Sequence, residues 1–194
     1  MTRQRLSRAA RYGQLIAVSW ALVRSEGADA LTLGRLAEHA GIAKPVVYSH
    51  FASRAALLAA LFTEFDDRQT VMLEEHLNAA EVSLPGRARA IADSYVECAL
   101  AQGRELTGVL AALEGSPELE QVKRESERAY SERCRGILAP FAGADGVRPA
   151  SLTAVFGAAD ALSHAAASGS LPPDQAKEEL AALIVTVVGG VPPS

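Results

Sequence analysis

The stretch Thr32–Phe51, TLGRLAEHAGIAKPVVYSHF, constrains this chain more than any other, because it reads as two short helices joined by a tight turn. Leu33, Leu36, Ala37 and Ala40 recur at i, i+3, i+4 and i+7, which gives the first helix one narrow apolar face. Gly41 then supplies the left-handed residue that a helix end commonly needs, and Ile42 can tuck back beneath the turn. A second helix is expected from Lys44. Pro45 suits its first turn, where amides have no intrahelical partner and a fixed φ already fits. Ala43 stands where a capping Ser, Thr, Asp or Asn is usual, so that helix begins uncapped by a side chain.

Upstream, a helix from about Ala9 to Ser25 carries Tyr12, Leu15, Ile16, Trp20 and Val23 on one face, and Gly27 ends it. Thr32 is placed to cap the following helix. Three helices in so short a span predict a bundle around Trp20, Leu36, Ile42, Val47 and Phe51. A fourth helix, from Ser53 as cap to about Glu81, would support it through Leu57, Leu58, Leu61, Phe62 and Phe65.

A step of about 100° per residue fixes what the second helix of the pair can touch. Val47 and Phe51 share the core side, so Pro45 and Ser49 point outward, with Tyr48 and His50 on the two flanks. A helix in the major groove wants this layout: flanks near the phosphate walls and a crest at the base edges. The alternative makes Tyr48 and His50 half-buried positions of a plain helical hairpin. On the crest only Lys44 belongs to the side chains usual in direct base readout, while Val46 and Pro45 can meet a thymine methyl and Ser49 can bond almost any base.

Charge follows the same division. The chain carries −4 overall, yet residues 1–60 hold eight Arg and Lys against three acids, a balance of +5, which leaves −9 for the remainder. A basic N-terminal region on an acidic body is expected where only the first part meets a polyanion.

Beyond Leu84-Pro85-Gly86, helical runs are expected at about 87–102, 104–113, 117–139, 149–167 and 173–188, separated by Gly and Pro breaks. The expectation is an all-α chain of about nine helices. Residues 1–8 would form a mobile basic arm, 9–56 the helix-turn-helix domain, and 57–194 a larger helical domain. Cys98 and Cys134 lack any partner motif, and no apolar run reaches the roughly 20 residues of a membrane span, so a cytoplasmic protein with no membrane contact is expected.

From about Leu15 to Leu61 the sequence resembles the DNA-binding region of the TetR family of transcriptional regulators. The likeness is carried by Leu15-Ile16, Gly27, Leu31-Thr32-Leu33, Leu36-Ala37, Ala40-Gly41-Ile42, Lys44, Tyr48, His50-Phe51, Arg54 and Leu57-Leu58. Val23 replaces a customary aromatic, Ala43 a Ser or Thr cap, and Arg54 a common Lys. The resemblance implies phosphate contacts from Thr32, Tyr48, His50 and Arg54, with Lys44, Pro45, Val46 and Ser49 facing the bases. It also implies a homodimer on a double-stranded operator, repression, and release by a small-molecule effector. A regulator without such a switch, constitutive or partner-controlled, is the alternative.

The C-terminal sequence supports pairing on its own terms. Phe156, Gly157, Ala158, Ala161 and Ala165 allow close helix approach, and Leu180, Leu183, Ile184, Val187 and Val188 form an apolar stripe. Burial within one subunit is the alternative. An effector pocket would draw on Phe62, Phe65, Met72, Tyr95, Cys98, Leu106, Leu110, Tyr130, Cys134 and Phe156, with plain core as the other reading. Asp160 and His164 share a face at i and i+4 but have no third ligand in sequence, so no metal or other cofactor is expected. No phosphate loop, nucleophile elbow or acid–base pair points to an enzyme.

Overall fold

The computed structural model describes residues 6–114, 117–144 and 146–189, with the backbone alone for 102–107, 113–114 and 118. Eight α-helices account for most of them, and no strand occurs among the described residues. They are α1 (Arg8–Glu26), α2 (Leu33–Ala40), α3 (Lys44–Tyr48), α4 (Arg54–Ala79), α5 (Leu84–Glu114), α6 (Pro117–Leu138), α7 (Pro149–Ala167) and α8 (Pro173–Gly189). Short 3-10 turns occupy Ala28–Ala30 and Ala139–Phe141.

The helix ends form for local reasons. Ser7 caps α1 by accepting from the Ala10 amide at 3.1 Å, and Thr32 caps α2 by accepting from the Arg35 amide at 3.1 Å. Gly41 ends α2 at φ 63°, while the Ile42 amide returns to the Ala37 carbonyl at 3.1 Å. That backbone is left-handed, so a side chain at position 41 would be strained. Ser53 accepts from the Ala56 amide at 3.1 Å at the head of α4.

The chain divides into two compact units, Met1–Phe65 with Arg104–Arg124 and Asp66–Gly103 with Glu125–Ser194. The boundary expected at residue 56 falls within α4, and so does the Phe65/Asp66 division between the two units. The helical break expected at Gly103 is absent: the two runs around it are one 31-residue helix, α5. One glycine inside a long helical pattern costs only about 0.8–1 kcal/mol, too little to force a stop. Of the expected basic arm, residues 1–5 lie outside the described residues, and Arg8 opens α1.

In the first unit Leu15, Leu22, Leu31, Leu36, Val47, Phe51, Leu57, Leu58 and Leu61 are at most 2% exposed. α5 passes the 3-10 turn at Gly108, where an added Cβ would sit 3.4 Å from the Ala28 Cβ, in ordinary van der Waals contact. In the second unit the core joins Leu73, Ile91, Val96, Leu138, Leu152 and Val155 to Leu180, Ile184 and Val188. Leu180 and Ile184, expected at a subunit interface, are 1% and 0% exposed in the single chain. They pack within their own unit, so neither has appreciable surface left for a partner. A stripe of Leu, Ile and Val on a wheel does not reveal which half faces the helix next door.

Both cysteines are buried in the second unit. Burial pushes the Cys98 thiol up to about 11 and the Cys134 thiol up to about 12. Thiolate is the reactive form, so iodoacetamide is expected to leave both untouched in the native protein over a time that consumes free cysteine, and to modify both in denaturant. Rapid labelling of the native protein would show that this core is not closed.

Candidate nucleic-acid interface

Three short elements place the outward residues of the first unit. α3 has only five residues, so its orientation depends on anchors rather than on its own stability. Val47 is fully buried, and the Phe51 amide donates back to the Val47 carbonyl at 2.9 Å. Phe51 in turn packs its ring 5.5 Å from that of Tyr12 on α1. With the inner side fixed, Lys44, Pro45, Val46, Tyr48 and Ser49 are all exposed, Tyr48 by 55%. No side chain caps α3, whose N-cap position is Ala43.

Lys44 leans toward the head of α2. A Cβ added to Gly34 would meet the Lys44 Nζ and Cε and the Thr32 Oγ1, each at 3.9 Å. The ammonium, a hydroxyl and the first turn of α2 therefore converge, a combination suited to a phosphate oxygen.

At the other end of α3, His50 is half-buried, with its ring 6.3 Å from those of Tyr12 and Phe51. Desolvation, followed by the charges of Arg8 and Arg11, holds its pKa below the usual histidine value. The neutral ring is favoured, so His50 offers a phosphate an N–H donor rather than a full charge. Arg8 Nη2 lies 3.5 Å from the Ser49 carbonyl. Arg8 and Arg11 thus stand with Tyr12 beside His50, a cationic cluster that sequence reasoning assigned to the arm and to the first helix. The signal was present as arginines at positions 3, 5, 8 and 11, but only the fold brings two of them to α3.

Arg11 also donates from Nη1 to the Gln14 Oε1 at 2.6 Å, and other basic side chains of this unit are engaged internally. Arg35 donates to the Glu26 carboxylate at 2.5 Å and lies 3.5 Å from that of Glu38. The Arg35 hydrogen bond outweighs the opposing effect of burial and, with the charges of Arg35 and His39, holds Glu26 below its ordinary value. Arg54, expected to meet phosphate, donates from Nε to the Leu31 carbonyl at 2.8 Å and from Nη2 to the Ala28 carbonyl at 2.9 Å.

The residues expected to line an effector pocket fall in both units. Phe62, Phe65 and Leu110 belong to the first, with the two phenylalanine rings 6.2 Å apart. Met72, Tyr95, Cys98, Tyr130, Cys134 and Phe156 belong to the second. There Tyr95, Tyr130 and Phe156 form a triangle with centroids 5.5–6.1 Å apart, and the Tyr95 hydroxyl donates to Asp160 at 2.6 Å. The Leu106 side chain lies outside the described residues. A cavity of about 330 Å³ occurs elsewhere in the second unit, lined by His76, Glu81, Arg89 and Asp93 among others, none of them expected to bind an effector. Among the described residues no group of three or more His, Cys, Asp or Glu could hold a metal ion, and no helix is long and apolar enough to cross a membrane.

Of the residues expected between subunits, Gly157 and Ala161 are exposed, and Phe156 and Val187 are half-buried. A Cβ added to Gly157 would meet nothing within 4 Å.

Residues 15–61 match the family model described as bacterial regulatory proteins, tetR family. The whole fold is similar to that of a proposed transcriptional regulator from Pseudomonas aeruginosa PAO1, with a TM-score of 0.80 at 17% identity over 96% of this chain and 94% of that one. A protein of unknown function from Rhodococcus sp. RHA1 matches with a TM-score of 0.79 at 24% identity, over 97% and 99% of the two chains. A TetR-family transcriptional regulator from Streptomyces coelicolor matches with a TM-score of 0.72 at 17% identity, over 92% and 95%. At such identities the likeness establishes the fold. No curated protein matches the sequence.

Proposed function

We propose that this chain, whose residues 15–61 match the tetR-family regulatory-protein model, is a DNA-binding transcriptional regulator that acts as a homodimeric repressor released from its operator by a small molecule. The observation that carries the DNA-contact assignment is the exposure of Lys44, Pro45, Val46, Tyr48 and Ser49 around a fully buried Val47. Pro45, Val46 and Ser49 are assigned to the base edges. Thr32 and Lys44 at the head of α2, with Tyr48, grip one stretch of phosphate, and Arg8, Arg11 and His50 grip another. This assignment moves Lys44 from the bases to the backbone, because its ammonium leans toward Thr32 and Gly34.

The pairing surface is α7 with α8, through the exposed small residues Gly157, Ala161 and Ala182 and the flanking Phe156 and Val187. The effector is assigned to the second unit. Its aromatic triangle, with Asp160 as a polar partner at Tyr95, suits a ligand with an apolar body and one polar group. A thermal-shift screen of such compounds, followed by release of bound duplex, tests that part.

DNA contact is tested by letting the protein select duplexes from a random-sequence library, then measuring affinity against salt. Each phosphate neutralised contributes about 0.9 to the slope of log K against log[salt]. Lys44→Ala is expected to weaken binding evenly across sequences and to lower the slope by about two in a dimer, one per copy. If it instead relaxed specificity at one base pair, Lys44 would be a base reader. Salt-independent binding by the unmodified protein would sink the phosphate contacts altogether.

A further inference from the structure

Arg54 is the first residue of α4, and both of its described hydrogen bonds run to main-chain carbonyls of the link between α1 and α2. Nε donates to Leu31 and Nη2 to Ala28, at 2.8 and 2.9 Å. A planar guanidinium can span two carbonyls in this way, while a lysine ammonium is a compact point charge without that fork. The side chain is 39% exposed, and the Asp29 carboxylate 3.9 Å away stands fully in solvent, so that ion pair contributes little to holding it. Leu31 is itself fully buried and directly precedes Thr32, whose hydroxyl caps α2. Ten residues further along α4, Glu64 accepts from the Trp20 indole at 2.8 Å. The same stretch of α4 therefore holds both α1 and the link to α2.

We propose that Arg54 is a positioning residue for DNA binding and not a phosphate ligand: its fork ties the head of α4 to the Ala28–Leu31 link and so fixes where Thr32 and the first turn of α2 stand. This rests on the DNA-binding reading above, and it assigns to Arg54 a role opposite to the one its place in the motif implies. The contribution is geometric. Arg54 sets the height of the Thr32 hydroxyl against the phosphate, and no counterion is released from Arg54 when DNA binds.

The test uses the full chain and a duplex that the unmodified protein selects from a random-sequence library. Arg54→Lys is expected to bind that duplex about as weakly as Arg54→Ala, at least tenfold below the unmodified protein, with the salt slope unchanged in both. Thr32→Ala is expected to cost little more once Arg54→Lys is present, because Arg54 acts through Thr32. In the free protein, amide exchange over residues 28–34 is expected to accelerate in Arg54→Lys while the rest of the first unit is unaltered. That measurement carries the test if Arg54→Ala does not fold. Full affinity in Arg54→Lys, a slope lowered by about two in Arg54→Ala, additive losses with Thr32→Ala, or unchanged exchange would each overturn the proposal. Failure of the unmodified protein to select any duplex would instead overturn the DNA-binding reading, a result distinguishable because it needs no substitution.

Discussion

Phe51→Ala is expected to lower the melting temperature by on the order of 10 °C and to abolish operator binding. Phe51 is 2% exposed and lies against Tyr12, directly beyond a five-residue helix that has little stability of its own. Truncating a buried aromatic costs about 3–5 kcal/mol, and for a chain of this length each kcal/mol shifts the transition by about 2–4 °C. The loss falls where α3 can least absorb it. Its inner side is fixed by Val47 and Phe51, so without the ring the exposed side of α3 loses its bearing on α1. Differential scanning calorimetry with a binding assay on the same preparation checks both halves. An unchanged transition would show that Phe51 is not a core residue.

The second large effect is expected at Gly157, where an arginine should split the proposed dimer and leave each protomer folded. In the single chain a Cβ at this position meets nothing within 4 Å, and the glycine lies inside α7, where replacement usually favours the helix. Gly157→Ala is therefore expected to be neutral or slightly stabilising. Gly157→Arg brings the same relief together with bulk and charge on the face assigned to the partner. Sedimentation should give a monomer for the arginine variant and a dimer for the alanine variant. Loss of the link between two half-site readers removes their effective concentration, which is worth about 10²–10⁴ in affinity. A dimeric Gly157→Arg would place the interface elsewhere.

Much of the first unit could be read from residue types because its constraints are local. Gly41, Ile42, Thr32 and Ser53 each act within about five residues, and each stands in the described turn or cap. The fate of the charges was not legible, because it depends on partners distant in sequence. Arg54 meets carbonyls 23 and 26 residues away, and Arg8 comes beside Ser49 across 41 residues. A motif counts an arginine as basic whether its fork faces solvent or a carbonyl. In the second unit the apolar content of α7 and α8 was legible, but which of Leu180, Ile184 and Val187 turns inward was decided by how those two helices meet. The division of the chain was hidden for a related reason. α4, α5 and α6 each supply residues to both units, and a continuous helix leaves no mark where its packing partners change.

The chain's only two cysteines, both shielded and both in the second unit, give it a built-in clock. The rate at which a thiol reagent gains access under native conditions measures how often that unit opens, with no signal from the first. Adding a duplex or a candidate small molecule and timing the same reaction would then report which of the two stills the second unit, without a label or a substitution anywhere in the DNA-binding bundle.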